Sequence, residues 1–354
     1  MHVLFLVPYP QGEAPSQRFR FEQYFAHLQR AGIRYTVSSF IDRDTWKILY
    51  KKGHLGAKLL GMVKGIFRRI RDVFRAHQYD YVFIHREAAP FGPPVFEWLI
   101  ARVVRKKMIY DFDDAIWLEN VSESNRVFSR LKWYGKVQSV CQWAHLISVG
   151  NDYLRDYALQ YNRNVVVNPT VVDTEHHYNR LKEHREGKVV IGWTGTHTTL
   201  RYFETVCPIL KSIEEKQNVE IRVIADMLPA VPLKTLQFIR WNKTTEIDDL
   251  LTFDIGIMPL VDNAWTRGKC GFKLIQYLAL SIPAVASEGA MSRKIIDHQV
   301  NGYICQTPEE WEEALLSLIN DTSRRKQFGL AGRKKIESHF SVTANAPAFL
   351  AMFA

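Results

Sequence analysis

The chain has 354 residues, which is more than one ordinary hydrophobic core accommodates and enough for two domains. Hydrophobic residues make up 47% and charged residues 24%, a balance that is typical of a folded protein and excludes general disorder. Lysine and arginine outnumber aspartate and glutamate by 47 to 37, which leaves a net charge of +10. This excess indicates a polyanionic partner, and the composition leaves it open among nucleic acid, anionic lipid and a phosphorylated substrate.

The four cysteines, at positions 141, 207, 270 and 305, are too widely spaced for a disulfide framework or a structural zinc site, so we expect reduced thiols. The twelve histidines include no HExxH pair, and no metal is predicted.

The first residues, MHVLFLVP, have no basic segment and reach proline after a short apolar run, which predicts a strand rather than a signal peptide. No stretch approaches the roughly 18 to 20 apolar residues of a membrane-spanning helix. We therefore expect a cytoplasmic protein.

Strands are predicted where short apolar runs alternate with helix-period segments such as 18–29 and 91–105. In the first half the runs are 2–8, 33–40, 80–85, 107–112, 145–150 and 165–168. After the polar stretch 174–188 the pattern restarts, with runs at 189–193, 219–225, 236–241, 254–260, 283–287 and 302–305. This pattern predicts an α/β protein with two Rossmann-like doubly wound domains that face a central cleft. We place the first domain at 1–170, the second at 171–338, and at 339–354 a helix that returns toward the first.

Segment 51–75 combines an apolar stripe with a strong positive charge. The apolar residues that recur at helical spacing are Leu55, Leu59, Val63, Ile66, Phe67, Ile70 and Phe74. Eight basic residues share the segment with a single acid, Asp72. The pattern is typical of a surface helix that packs its stripe on the core. It also suits a basic amphipathic helix on the cytoplasmic face of an anionic membrane, with nucleic acid as a third alternative.

The loop after the first strand, PYPQGEAPSQRFRF, leads into the predicted helix 18–29. The N-terminus of a helix attracts anions, and arginines placed there need an anionic partner. Arg18 and Arg20 are therefore predicted to bind a phosphate or an acidic sugar, or else to pair with acids of the other domain. With Ser16, they form the predicted acceptor site.

Asp111, Asp113 and Asp114 end the strand predicted at 107–112. Three carboxylates in a cleft would repel one another without a cation or hydrogen-bond donors, so the arrangement is more typical of function than of structure. Asp113 and Asp114 are the predicted catalytic acids, since they can bind sugar hydroxyls or stabilise an oxocarbenium-like centre. Arg86 and Glu87 follow the preceding strand and are predicted to contact the acceptor in the same cleft.

Two loops of the second half are candidates for a diphosphate site. In GWTGTHTT, Gly195 and Thr196 lie where a strand turns into a helix, the outline of a phosphate cradle that a plain tight turn would share. In WTRGKCGFKLIQYLA, Lys269 and Lys273 are four residues apart, and on a common helix face they could neutralise a diphosphate.

The remaining donor contacts are predicted at nearby strand ends. Glu288 and Gly289 follow the strand at 283–287 and offer backbone donors to the same phosphates. Trp241, at the end of the strand at 236–241, and Gln276, three residues beyond Lys273, are the predicted nucleoside contacts.

These segments resemble GT-B glycosyltransferases, most closely family 4 of the retaining enzymes. The resemblance covers almost the whole chain and rests on VPYPQGEAPSQRFRF, IYDFDDAIW, SVGNDYL, VVNPTVVDTEHH, GWTGTHTT, FDIGIMPL, GKCGFKLIQYLALSIPAVAS, VNGYIC and RRKQFGLAGRKKIESHFS. It implies metal-independent transfer of a hexose, with retained configuration, from a nucleotide-diphosphate sugar to an acceptor hydroxyl. It implies no bound cofactor and an acceptor in cell-surface glycan or glycolipid assembly. It also implies that Lys273 is a catalytic residue and the cation that binds the donor diphosphate.

The sequence departs from the family pattern at one pair of positions. The family often has two glutamates eight residues apart at the helix entrance, and Gly268 and Gln276 stand there instead. Ribose binding at position 276 then becomes a weaker amide contact, and the group that holds the transferred sugar is unassigned. A sugar-nucleotide epimerase and a non-catalytic scaffold of GT-B architecture stay open as alternatives. A nucleic-acid-binding module is supported by charge alone.

Overall fold

The computed structural model describes residues 1–119 and 133–354, and these form two compact units. The first unit comprises Met1–Thr170, Gly268–Cys270 and Asn345–Ala354, and the second comprises Val171–Arg267 and Gly271–Ala344. Each unit contains one six-stranded sheet whose neighbouring strands all run parallel. The predicted fold class, two doubly wound α/β domains, is confirmed. Within the described residues, no helix combines the length and apolar character needed to cross a membrane.

The first sheet has the strand order β2-β1-β3-β4-β5-β6. Its strands are β1 (His2–Val7), β2 (Arg34–Ser39), β3 (Tyr81–His85), β4 (Lys107–Phe112), β5 (Leu146–Val149) and β6 (Val165–Val167). The adjacent interior strands β1, β3 and β4 are almost entirely buried, as their continuous apolar runs predict.

The second sheet has the order β12-β11-β10-β7-β8-β9. Its strands are β7 (Val189–Thr194), β8 (Val219–Ala225), β9 (Leu236–Arg240), β10 (Ile255–Met258), β11 (Ala284–Ser287) and β12 (Gly302–Cys305). Strand order reverses between β7 and β10, and open α/β sheets bind ligands beyond the carboxyl ends of the strands at such a point.

Helices cover both sheets. In the first unit the described α-helices are α1 (Pro15–Arg18), α2 (Phe25–Arg30), α3 (Arg43–Leu49), α4 (Leu55–Arg75), α5 (Val95–Trp98), α6 (Lys136–Trp143) and α7 (Asp152–Ala158). In the second they are α8 (Leu200–Glu204), α9 (Cys207–Lys216), α10 (Glu246–Leu250), α11 (Ala264–Arg267), α12 (Phe272–Ala279), α13 (Ala290–Ile295), α14 (Pro308–Ile319) and α15 (Thr322–Lys335). A last helix, α16 (Val342–Ala351), crosses the division between the units.

The predicted helix 18–29 is wrong in its boundaries. Pro15 starts a one-turn helix, α1, that ends at Arg18, and α2 begins only at Phe25 after a 3₁₀ turn, Glu22–Tyr24. Arg18 therefore lies in a last turn, where a positive charge is favourable, and the argument that it needs an anion at a helix N-terminus does not hold.

The apolar stripe of helix α4 points away from the core. Its buried face carries Gly61, Gly65, Arg69 and Asp72, whereas Leu59 and Phe67 of the apolar stripe are each 67% exposed. A Cβ at Gly61 would lie 2.2 Å from Thr45 Oγ1, so the glycine face packs closely on α3. The interpretation of 51–75 as a helix that buries its apolar stripe is wrong.

Candidate active site

A buried ionic cluster lies at the carboxyl end of the first sheet. Arg20 and Asp111 form an ion pair with both side chains fully buried. His85 Nδ1 lies 2.7 Å from Asp111 Oδ2, and the Ser148 hydroxyl donates a 2.7 Å hydrogen bond to Oδ1. Burial alone raises the pKa of Asp111, but the Arg20 charge and the His85 hydrogen bond hold it well below its ordinary value.

This cluster gives Arg20 a structural role instead of the predicted acceptor contact. Its guanidinium also donates to the backbone oxygen of Asn168, so it ties β4 to the segment after β6. None of Arg20 is exposed. Ser16 and Arg18, the other two residues of the predicted acceptor site, are partly exposed in α1.

A second, more accessible ionic group lies directly after β3 and β4. Arg86 donates from Nε to Asp113 Oδ1 and from Nη2 to Asp114 Oδ2, both at 2.8 Å. Lys269 Nζ donates to Asp114 Oδ1 at 2.9 Å. The carboxylates of Asp113 and Asp114 are 14% and 16% exposed, so ligand hydroxyls can reach their remaining lone pairs. The two cations, Arg86 and Lys269, balance the two carboxylates, so the repulsion expected between the neighbouring acids is compensated.

Backbone strain occurs at this group. Arg86 has a φ of 59°, in the left-handed region that a residue with a side chain rarely adopts. The conformation is held because Arg86 N donates to Asp111 O at 2.7 Å and Arg86 O accepts from the Tyr110 hydroxyl at 2.8 Å. Strain of this kind clusters at functional sites, where surrounding contacts impose it.

The predicted role of Lys269 in a diphosphate site is not supported by this geometry. Helix α12 begins at Phe272, after Gly271 with a φ of 68°, so Lys269 precedes the helix and shares no helix face with Lys273. Its ammonium instead balances Asp114. Burial raises the pKa of Asp114, but Lys269 and Arg86 lower it below its ordinary value overall.

Glu87 is engaged in a separate pair. Lys136, a buried residue of α6, lies with its Nζ 2.7 Å from Glu87 Oε2 and also donates to Ala89 O at 2.8 Å. This ion pair fixes the loop after β3, and the acceptor contact of Glu87 stays a prediction.

Partly exposed aromatic rings follow β1 and line α3. The ring of Tyr9 lies 5.0 Å from that of Trp46, which in turn lies 5.7 Å from Tyr50. Gln17 holds the backbone of Tyr9 with two hydrogen bonds, of 2.9 and 3.0 Å. Sequence reasoning missed these rings, and the Tyr9-Pro10 step at the strand end was the available signal.

In the second unit, Trp193 of β7 joins two of the predicted donor residues. Lys273 Nζ lies 4.7 Å from the centre of the Trp193 ring. A Cβ at Gly195 would lie 2.3 Å from Trp193 Cη2, so only glycine allows this turn to approach the ring. Lys273 and the Gly195 turn therefore meet around one indole at the strand-order reversal.

The turn after β7 does not offer the predicted cradle of free backbone donors. Gly195 N donates to Ile224 O at 3.0 Å, and Thr196 N donates to the Thr199 hydroxyl at 3.1 Å in a capping box. Beside it, His197 Nδ1 lies 2.6 Å from Asp226 Oδ2, and His197 N donates to the same carboxylate. Sequence reasoning missed this pair because its members are 29 residues apart.

Residues 232–335 match the family model described as glycosyl transferases group 1. No curated protein matches the sequence. The chain is similar to the crystal structure of a glycosyltransferase from Rickettsia africae (TM-score 0.69, 12% identity, 99% of this chain and 97% of that chain covered). It is also similar to HepE from Anabaena in complex with UDP and glucose (0.67, 14%, 99% of each chain) and to sucrose-phosphate synthase from Thermosynechococcus elongatus (0.68, 10%, 100% and 98%).

The chain has the GT-B fold. The match of residues 232–335 to the group 1 model supports glycosyl transfer as the activity. Together, the fold and the match support a GT-B glycosyltransferase. The matched segment includes Lys273, Gln276 and Glu288, whose surroundings decide how far the predicted roles hold.

Gln276 is buried within the second unit. Its Nε2 donates to the Tyr178 hydroxyl at 2.7 Å and to Glu246 Oε1 at 3.3 Å, and the residue is only 3% exposed. These contacts take the place of the predicted nucleoside contact. Trp241, the other predicted nucleoside residue, is partly exposed and directly follows β9.

Glu288 and Gly289 lie between β11 and α13. The Glu288 carboxylate pairs with Arg293 and accepts from Gln306 Nε2 at 3.3 Å, while Glu288 N donates to Cys305 O at 3.0 Å. A Cβ built on Gly289 would meet one atom within 4 Å, Ser292 Oγ at 3.8 Å, so there is open space beside this residue.

Proposed function

We propose that this GT-B chain is a retaining glycosyltransferase resembling family 4. It transfers a hexose from a nucleotide-diphosphate sugar to an acceptor hydroxyl in cell-surface glycan or glycolipid assembly on the cytoplasmic side. The observation that carries the proposal is the placement of Lys273 over Trp193 beside the Gly195 turn, in the unit that contains the matched segment 232–335. HepE, which shares the fold, was solved with UDP and glucose, so a UDP-hexose is the first donor to test.

The chemistry requires stabilisation of the departing diphosphate. Negative charge develops on its oxygens as the glycosidic bond breaks, and a fixed cation stabilises that charge without reorganisation. Lys273 supplies the cation, and the Trp193 ring beneath it holds the ammonium in place. A phosphate oxygen of the leaving group accepts the proton of the acceptor hydroxyl, so the reaction needs neither a protein base nor a bound metal ion or cofactor.

The first unit provides the acceptor site in this proposal. Asp113 and Asp114 present carboxylate oxygens that accept from sugar hydroxyls, and Arg86 fixes the orientation of both. Tyr9 and Trp46 add partly exposed aromatic surface, which suits the apolar faces of a sugar ring.

The test is a thermal-unfolding screen with UDP-, GDP-, ADP- and dTDP-hexoses, followed by transfer assays with the donor that stabilises the protein. We expect one donor to raise the unfolding midpoint by several degrees, because a ligand that binds only the folded state stabilises it. The product should keep the anomeric configuration of the donor by proton NMR, and the rate should be the same with EDTA. Epimerisation of the free donor without an acceptor would instead support the epimerase alternative.

A further inference from the structure

Helix α4 exposes a continuous apolar stripe along its whole length. Its 21 residues span about 31 Å at 1.5 Å per residue. The exposed members of the stripe are Leu55, Leu59, Leu60, Val63, Phe67, Ile70 and Phe74. Leu55 and Phe74, at the two ends, are 77% and 75% exposed. A folded monomer rarely leaves so much contiguous apolar surface in water, so the stripe indicates a partner.

The core of the first unit cannot be that partner. The opposite face of α4 already packs through Gly61 and Gly65, and a Cβ at Gly65 would lie 2.7 Å from the backbone oxygen of Phe40. Arg69, fully buried, donates to Ala88 O and Val7 O, both at 2.7 Å, and to Asp72 at 3.0 Å. These contacts fix the rotation of the helix and hold the stripe outward.

The exposed charged residues of α4 are all positive. Lys64, Arg71 and Arg75 are exposed and, at 100° per residue, lie along one edge of the stripe. The single acid of the helix, Asp72, lies on the buried face. A linear apolar stripe edged by lysine and arginine suits the headgroup region of an anionic bilayer. A second copy of this chain would bring like charges together on the same face, which is unfavourable.

We propose that α4 is a docking surface for the anionic surface of a lipid bilayer. The helix lies in the plane of the interface, with its leucine and phenylalanine side chains in the acyl boundary and its basic edge among the headgroups. Docking rests on α4 alone and does not depend on the proposed glycosyl transfer.

The test is co-sedimentation of the full chain with vesicles of phosphatidylcholine, with and without phosphatidylglycerol. We expect binding only when phosphatidylglycerol is present. Leu59→Ser with Phe67→Ser should weaken binding at least about tenfold, since each change removes an apolar side chain that the bilayer would bury. Lys64→Glu with Arg75→Glu should weaken it by at least about fivefold for each lost positive charge.

A matched control lies on α15, where Lys326 and Leu330 are also exposed and four residues apart. Lys326→Glu with Leu330→Ser should leave vesicle binding unchanged. All variants change exposed side chains, so their unfolding midpoints should stay close to that of the parent. Equal binding of the α4 and α15 variants would overturn the proposal. A second result would also overturn it: the parent does not bind vesicles but self-associates in sedimentation velocity, and Phe67→Ser abolishes the self-association.

Vesicle binding and transfer can fail separately. Donor binding by the α4 variants should match that of the parent, because α4 lies outside the unit that holds Lys273. Loss of vesicle binding with intact donor binding therefore tests α4, whereas loss of donor binding in Lys273→Ala tests the proposed function.

Discussion

The Nζ of Lys273 lies 4.7 Å from the centre of the Trp193 ring. Trp193 belongs to β7, the strand at which the order of the second sheet reverses. If this ammonium stabilises a departing diphosphate, Lys273→Ala should lower kcat/KM for transfer by about 10²–10³-fold, the usual effect of removing one preorganised electrostatic contact. The unfolding midpoint should change little, because a partly exposed cation–π contact contributes only about 0.5–1 kcal/mol. Steady-state kinetics and thermal unfolding measure the two effects.

Two further variants make that experiment specific. Lys273→Arg keeps the charge and the ring contact and should retain more activity than Lys273→Ala. Lys326→Ala removes an exposed lysine of the same unit and should behave like the parent. Unchanged kcat/KM in Lys273→Ala would remove the diphosphate role.

The buried pair of Arg20 and Asp111 should contribute strongly to folding. Asp111→Asn leaves the Arg20 guanidinium buried without its counter-charge, which typically costs about 3–5 kcal/mol. Arg155 and Asp156 form an exposed pair at 2.9 Å, and Asp156→Asn should cost less than about 1 kcal/mol. Urea unfolding of both variants makes the comparison. Equal losses would mean that the buried cluster is no stronger than a surface ion pair.

How much of this the sequence predicts depends on the distance between partners. All twelve strands of the described residues were predicted to within two residues at each end, because buried parallel strands are continuous apolar runs. Arg20 and Asp111 are 91 residues apart, and Lys269 and Asp114 are 155 apart. No spacing rule pairs such residues. The sequence therefore predicts acids at a strand end and bases at the start of a helix or in a loop, but not which acid pairs with which base.

The orientation of α4 was also beyond the sequence. Periodicity predicts that a helix has an apolar face but not the direction in which that face points. Gly61 and Gly65 decide the direction, since they permit an approach to Thr45 and Phe40 that side chains would block. Gln276 shows the same limit within the site, because its burial against Tyr178 follows from packing alone.

The ionic cluster of the first unit predicts how stability changes with pH. The pKa of Asp111 is lower in the folded state than its ordinary value of 3.8. A carboxyl group of this kind stabilises the fold fully above its unfolded pKa, and the contribution is lost as pH falls through the folded pKa. The free energy of unfolding should therefore fall below about pH 5 more steeply in the parent than in Asp111→Asn.

Urea unfolding of both proteins between neutral and acidic pH measures this difference. Asp114 and Asp254 also have lowered pKa values and titrate in both proteins, so the difference between the two curves isolates Asp111. The gap should be constant near neutral pH and should shrink on acidification. A gap that is independent of pH would show that Asp111 does not gain its stability from the charge of its carboxylate.

Two glycines of α4 test whether close packing fixes the rotation of the helix. Gly65→Ala places a Cβ 2.7 Å from the backbone oxygen of Phe40, which cannot move aside as a flexible side chain would, so we expect a loss of about 1–3 kcal/mol. Gly56, in the same helix, has nothing within 4 Å of a built Cβ, and Gly56→Ala should stabilise the protein by up to about 1 kcal/mol. Denaturant unfolding measures both. A displaced α4 would rotate its apolar stripe away from its present orientation. Gly65→Ala should therefore also alter vesicle binding, whereas Gly56→Ala should preserve it.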